Sequence, residues 1–287
     1  MTTEFSSSHP ACPLCAGDRT AAVFEKSGRQ YWRCRTCTLL FARAATNANF
    51  QAIDDFEPAY LQYLDDGPAD VRNLDDIIGW IESHVSLRSP SCRLLDVGAG
   101  GGKLVRRLRQ TRSCAVSALE PSATLFARYG LGALGVDPIT LPELASRRPD
   151  PFDVVTVLDV VEHAPDAAGF LAALASVTRA GGYVFLSTPD AGSLLARLLG
   201  RRWHHCNPYH FSLYGRRAML EAASRHGFAV VAAEHRPKRV PIDYLWNYAR
   251  DFLFRLRPRS REYHPSRITI PVSLGDILYV VWKRLPD

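Results

Sequence analysis

The chain has 287 residues, of which 47% are hydrophobic, and carries 35 Lys and Arg against 29 Asp and Glu. That apolar share supplies a core, which excludes wholesale disorder, and the length suits one sizeable domain with an appendage or two modest domains. The net charge of +6 does not mark a nucleic-acid binder: residues 1–235 hold 24 basic and 24 acidic side chains, and the excess lies in residues 236–287, with 11 against 5.

In chain order, residues 1–11 are rich in Ser and Thr and lack the basic-then-apolar order of a signal peptide. No run of ~18 apolar residues follows, so no span is expected and the location is expected to be cytoplasmic. Residues 1–43 form a first module, where two cysteine pairs alternate with strand-like runs at 21–24, 30–33 and 39–41. Residues 44–90 read as an acidic helical linker or cap. Residues 44–82 hold nine acids and one Arg, and Leu74, Ile77, Ile78 and Ile81 share a helix face.

From residue 91 to 287 apolar runs alternate with helical stretches, the pattern of an α/β parallel sheet. Strands are expected at 93–97, 115–119, 133–136, 153–158, 183–187, 228–233 and 276–282. The third is the weakest. A helix carrying Phe170, Leu171, Leu174 and Val177 is expected to stop at Gly181-Gly182. Residues 190–215 are aromatic, His-rich and irregular, and 236–267 form a long Arg- and aromatic-rich insertion.

The turn after the first of these strands carries the chemistry. Gly98-Ala99-Gly100-Gly101-Gly102 joins a strand to a helix, so its backbone can approach a ligand closely. The spacing fails the dinucleotide fingerprint, since Lys103 stands where that pattern continues. Asp96, just before the loop, suits a ligand with a positive amino group rather than a pyrophosphate. Glu120, at the end of the next strand, is placed to hold ribose hydroxyls.

These stretches (LLDVGAGGGKL, ALEPS, FDVVTVLDVVEHAPD and TRAGGYVFLSTPD) resemble the class I S-adenosylmethionine-dependent methyltransferases. The resemblance implies a Rossmann-like seven-stranded sheet in the order 3-2-1-4-5-7-6, with strand 7 antiparallel. It implies that Asp96, Gly98 and Gly100 surround the methionine end of the cofactor and that Glu120 binds the ribose. It places Leu158 and Asp159 under the cofactor and Asp137 near the adenine.

Methyl transfer needs alignment of the acceptor and, for some acceptors, removal of a proton. Glu162-His163 follows the fourth strand, and Trp203-His204-His205-Cys206-Asn207-Pro208-Tyr209-His210 follows the fifth. An unshifted imidazole titrates near neutrality, so His210 is the expected base, with His163 second and Tyr209 lining the acceptor pocket. The set His204, His205, Cys206 and His210 has no accompanying acid and its adjacent pair lacks an i, i+4 spacing, so metal binding is not its expected role. The scattered Cys92 and Cys114 are expected to be buried packing residues.

Cys12-x2-Cys15-x18-Cys34-x2-Cys37 falls within zinc-ribbon spacing. Four thiolates complete a tetrahedral Zn²⁺ and leave no open position, so the ion is expected to be structural. Ribbon and glycine loop together resemble zinc-ribbon methyltransferases of bacterial polysaccharide and natural-product pathways, which implies a small-molecule acceptor such as a sugar. That group usually has Gly after its fourth cysteine, where this chain has Thr38.

The alternatives are an RNA methyltransferase gripping RNA through its ribbon, and an inactive cofactor-binding partner subunit. The acidic stretch 44–82 opposes an RNA backbone, and nucleic acid is not the expected partner. Residues 244–261 mix aromatics with Arg and form a candidate peripheral membrane contact.

Overall fold

The computed structural model describes residues 9–43, 68–242 and 268–286. The acidic stretch 44–67, the core of the Arg-rich insertion and the candidate membrane segment 244–261 therefore lie outside the described residues.

Three short strands, β1 (Thr20–Lys26), β2 (Arg29–Cys34) and β3 (Leu40–Ala42), form an antiparallel meander between and after the cysteine pairs. The meander does not stand alone. β3 pairs with β8 (Ser212–Leu213) in the registers Leu40↔Leu213 and Phe41↔Ser212, so the His-rich segment completes a four-stranded sheet.

Helix α1 (Pro68–Glu82) buries Ile78, Trp80 and Ile81 against Leu94, Val154, Phe185 and Val281, and so covers one face of the central sheet. That sheet contains β4 (Arg93–Val97), β5 (Ala115–Leu119), β6 (Phe152–Leu158), β7 (Thr178–Pro189), β9 (Phe228–Glu234) and β12 (Ile277–Arg284) in the order β5-β4-β6-β7-β12-β9. The first four are mutually parallel, and β12 runs antiparallel to both β7 and β9. The central strands read as continuous apolar runs because both faces are covered. Helix α2 (Lys103–Thr111) lies on the same face as α1, while α5 (Ala167–Val177) and α7 (Arg216–Arg225) bury Leu171, Leu174, Ala218 and Ala222 on the other.

This is the expected sheet order, with one element reduced. The strand expected at 133–136 is a series of tight turns closed by Leu134 N→Leu131 O and Gly135 N→Gly132 O, and only the bridge Leu119↔Asp137 remains of it. Two short helices flank the sequence region, α3 (Ala123–Arg128) before it and α4 (Leu141–Ser146) after it; Thr140 and Glu143 form a capping box at the start of α4. The Gly181-Gly182 pair does not end a helix. Helix α5 stops at Val177, and Gly182 lies inside β7, where a Cβ would stand 2.8 Å from the Arg179 carbonyl oxygen.

The segment expected to be irregular contains helix α6 (Leu194–Leu199), capped by the Ser193 hydroxyl. Strands β10 (Lys238–Pro241) and β11 (Thr269–Val272) pair antiparallel and bracket the insertion. Cys92 and Cys114 are buried in the core beside α1. No helix among the described residues is long and apolar enough to cross a membrane.

Candidate active site

The carboxyl ends of the parallel strands β4, β5, β6 and β7 lie side by side at one edge of the central sheet, and in open α/β sheets the crevice at this edge receives ligands. Near the end of β4, Asp96 is buried at 4% exposure and accepts the Thr156 hydroxyl at 2.7 Å. Burial raises its carboxyl to about 6, partly opposed by that hydrogen bond.

The glycine loop is tied to the next strand. Gly98 N and Ala99 N both donate to the Leu119 carbonyl, at 2.9 and 2.8 Å. The Glu120 carboxylate accepts Gly100 N at 2.8 Å and Ser122 N at 2.9 Å. Gly98 has φ 75°, and a Cβ there would stand 2.5 Å from Val160 Cγ2, so the loop and the turn after β6 press together where only Gly fits. Over Gly100, by contrast, no atom lies within 4 Å of where a Cβ would stand.

Asp159, at φ 55°, is exposed at the crevice; its Oδ1 accepts the Ser187 hydroxyl at 2.7 Å, and its N–H donates to the Ser187 carbonyl at 2.9 Å. Leu158 precedes it at the end of β6 and is partly buried. Asp137 is exposed, and its carbonyl accepts Glu120 N at 3.0 Å. Asp96, Gly98, Gly100, Glu120, Asp137, Leu158 and Asp159 thus lie along one rim, from the end of β5 across β4 to the end of β6.

Beside this rim stand the histidines. His163 lies in a 3-10 turn, Val161–His163, and its ring centroid is 4.7 Å from that of His210. A carbonyl oxygen can only accept, so the contact of His163 Nδ1 with the Tyr209 carbonyl at 3.0 Å places the proton on Nδ1. The same logic protonates His210 Nδ1, which lies 2.7 Å from the His205 carbonyl. Tyr209 therefore serves the cluster through its backbone, with its side chain half-buried.

Burial pushes His210 well below the usual imidazole range, assisted by the charges His163 and His205 would carry, and burial lowers His163 to about 4. The near-neutral imidazole expected from the sequence is thus not what the fold produces, because desolvation disfavours the charged ring. Glu162 is 1% exposed and accepts the Thr188 hydroxyl at 2.9 Å. Its carboxyl is raised well above the normal range, first by burial and then by the nearby Asp159 charge.

The His-rich cluster does have acids, contrary to the sequence expectation. Glu162 joins His163 and His210, and Asp276 joins His204 and His205, each group with its ligating atoms within 4.8 Å. Glu162 adjoins His163 in the chain but meets His210 only in the fold, and Asp276 lies just before β12, so no local spacing ties either acid to residues 204–210. Cys206 points elsewhere and packs with Tyr31, Leu40, Trp203 and Leu213. Sequence reasoning also missed Thr156, Ser187 and Thr188. All three are hydroxyl residues in apolar strands, and that was the available signal.

The four ribbon cysteines are buried and free of disulfides. Their sulfurs pair at 3.6 Å, Cys12 with Cys37 and Cys15 with Cys34, and all four lie within 4.8 Å of one another. Tetrahedral Zn²⁺ with Zn–S of about 2.3 Å sets its sulfurs about 3.8 Å apart, so the arrangement fits that ion. Cys34 Sγ accepts the N–H of Thr36 at 3.4 Å and of Cys37 at 3.5 Å. Thr38 has φ 66°, which explains why Gly is the usual residue there.

A family model described as a methyltransferase domain matches residues 40–233. Among curated relatives, the chain is 36% identical over 153 residues to a ubiquinone biosynthesis O-methyltransferase of Pseudomonas entomophila, covering 50% of this chain and 64% of that protein. It is 35% identical over 117 residues to the enzyme of the same name from Stutzerimonas stutzeri, covering 39% and 49%. The matched region thus spans about half to two thirds of these relatives. Among solved structures, the YcgJ protein of a Bacillus species aligns with TM-score 0.53 at 15% identity, over 75% of this chain and 99% of that one. Magnesium protoporphyrin IX methyltransferase from Synechocystis, with bound S-adenosylmethionine, aligns with TM-score 0.51 at 14% identity, over 84% and 100%. These two likenesses show a shared fold.

Proposed function

From the premise that the chain belongs to the methyltransferase-domain family, we propose that it moves the methyl group of S-adenosylmethionine to a hydroxyl oxygen of a small molecule. The observation that carries this reading is that the turn after β6 serves both groups: Val160 packs at Gly98 of the Asp96–Gly100–Glu120 rim, and the Glu162–His163–His210 cluster begins two residues on, within reach of the Asp159 charge.

The rim residues fit the cofactor. Open space over Gly100 admits a ligand against the backbone, buried Asp96 receives a positive amino group, and Glu120 offers carboxylate oxygens to ribose hydroxyls. Leu158 and Asp159 lie beneath it, with Asp137 toward the adenine. The bound cofactor supplies an activated methyl group. The rim residues would hold that methyl group in line with the acceptor oxygen, so that alignment is the protein's main contribution.

His210, with His163 beside it, receives the acceptor hydroxyl at Nε2 and is the proton-accepting group, with Tyr209 at the pocket wall. Because burial depresses both imidazoles, they are weak bases toward a hydroxyl of ordinary acidity. Transfer to oxygen follows the names of the relatives; a sugar acceptor follows the ribbon resemblance. Zn²⁺ on Cys12, Cys15, Cys34 and Cys37 is structural in this reading, because four thiolates leave no position for a substrate.

The test is calorimetry with S-adenosylmethionine, followed by tritiated-methyl transfer to a panel of phenols, catechols, sugars and RNA. Cofactor binding with label on a small hydroxylated acceptor is expected. Label on RNA alone, or binding with no transfer to any acceptor, overturns the reading in favour of an RNA enzyme or an inactive partner subunit.

A further inference from the structure

Glu162, His163 and His210 are arranged as ligands held in advance. Each contributes one ligating atom, and the three lie within 4.8 Å of one another. An ion about 2.1 Å from each ligand keeps its ligands roughly 3–4 Å apart, so a small contraction closes the site.

The surroundings of each group favour the same use. Both rings commit Nδ1–H to a backbone carbonyl, the contact that orients metal-bound imidazoles and leaves the Nε2 lone pair free. Among the described residues no hydrogen bond reaches Nε2 of either ring. Glu162 is oriented by the Thr188 hydroxyl, and among the described residues no Lys or Arg forms an ion pair with it. A buried carboxylate beside two imidazole lone pairs, with Asp159 close by, is a site that lacks positive charge.

We propose that Glu162, His163 and His210 bind a divalent transition-metal cation at the acceptor side of the crevice. Two imidazoles and one carboxylate leave coordination positions open, and the acceptor oxygen fills one of them. Coordination acidifies the acceptor hydroxyl, whose proton passes to water. The oxygen then bonds to the methyl carbon while the carbon–sulfur bond gives its electron pair to sulfur. With the ion bound, His163 and His210 hold it through Nε2 and no longer take the proton, a task for which their burial suits them poorly. This use of the ion rests on the methyl-transfer reading, whereas the binding of the ion does not.

The experiment uses full-length protein with its ribbon filled by zinc, titrated with Mn²⁺ and followed by electron paramagnetic resonance. Mn²⁺ is a hard ion that avoids a four-thiolate site. One bound Mn²⁺ per chain is expected, with ¹⁴N couplings from imidazole in the pulsed spectrum of the wild type. Glu162→Gln and His210→Asn are each expected to weaken binding about tenfold or more, while Asp276→Asn leaves it unchanged. S-adenosylmethionine affinity on the same samples reports that the variants are folded.

A wild type that takes up no Mn²⁺ at millimolar concentration overturns the proposal. So does an absence of ¹⁴N coupling, or binding that follows Asp276→Asn instead. Mn²⁺ binding without cofactor binding leaves the ion site standing and sinks the methyl-transfer reading; cofactor binding without Mn²⁺ does the reverse.

Discussion

The backbone N–H of Gly100 donates to the Glu120 carboxylate at 2.8 Å, so the loop after β4 and the acid after β5 are one unit. Glu120 is therefore both a ligand group and the clasp of the loop. Glu120→Ala removes a charge-assisted hydrogen bond worth about 1.5–3 kcal/mol. Cofactor affinity is expected to fall by roughly 10- to 100-fold, read by calorimetry. Unchanged affinity would show that the loop holds its shape without the clasp.

Gly98→Ala places a methyl 2.5 Å from Val160 Cγ2 at a positive φ. The left-handed conformation and the overpacking each cost about 1–3 kcal/mol. Adding Val160→Ala is expected to recover the overpacking part alone. A double-mutant cycle by urea denaturation measures this, and zero coupling between the two sites would refute the packing argument.

Asp96 sets a pH dependence of the cofactor-free protein. Its carboxyl is raised to about 6 by burial, against a model-peptide value of 3.8. Between those values the native state holds a proton that the unfolded chain has lost, so this group's contribution to stability falls as pH rises through the window. The ionised group costs at most about 3 kcal/mol at pH 7. Asp96→Asn is expected to be more stable above pH 6 and to bind the cofactor poorly. Thermal melts from pH 4 to 7 check the first point and calorimetry the second.

Chelating the ribbon's zinc is expected to act on the acceptor rather than the cofactor. The ribbon reaches the His-rich segment through Leu40↔Leu213 and Phe41↔Ser212, whereas the glycine loop is built from β4 and β5. Stripped protein, or Cys37→Ser, should show a raised KM for the acceptor with a nearly unchanged cofactor Kd. Parallel loss of both would place the ribbon's effect on the whole fold. Elemental analysis should give one zinc per chain before stripping.

Thr38→Gly is expected to stabilise the ribbon. Thr38 sits at φ 66°, where a side chain costs about 1–2 kcal/mol, and added backbone entropy offsets part of the gain for Gly. A net rise of roughly 0.5–1 kcal/mol is expected, seen as slower zinc release to a chelator. Faster release would mean that the Thr38 side chain supports the knuckle.

The sequence alone determined the parallel sheet, the glycine loop with its two acids, and the four-cysteine module. Each depends on neighbours in the chain: apolar runs of strand length, glycines at a strand end, and cysteines two residues apart. One strand was overread, because the turns around Gly135 leave only the bridge to Asp137. The helix end at Gly181-Gly182 was misread because β7 begins five residues before its apolar run. What only tertiary structure decided is the character of the histidines. Glu162, His163 and His210 come together across 46 residues of chain between His163 and the Tyr209 carbonyl that holds it. Their burial, and hence their weakness as bases, follows from packing that no local spacing encodes. The docking of β3 against β8 was equally hidden, since two-residue pairing between distant segments leaves no periodic trace.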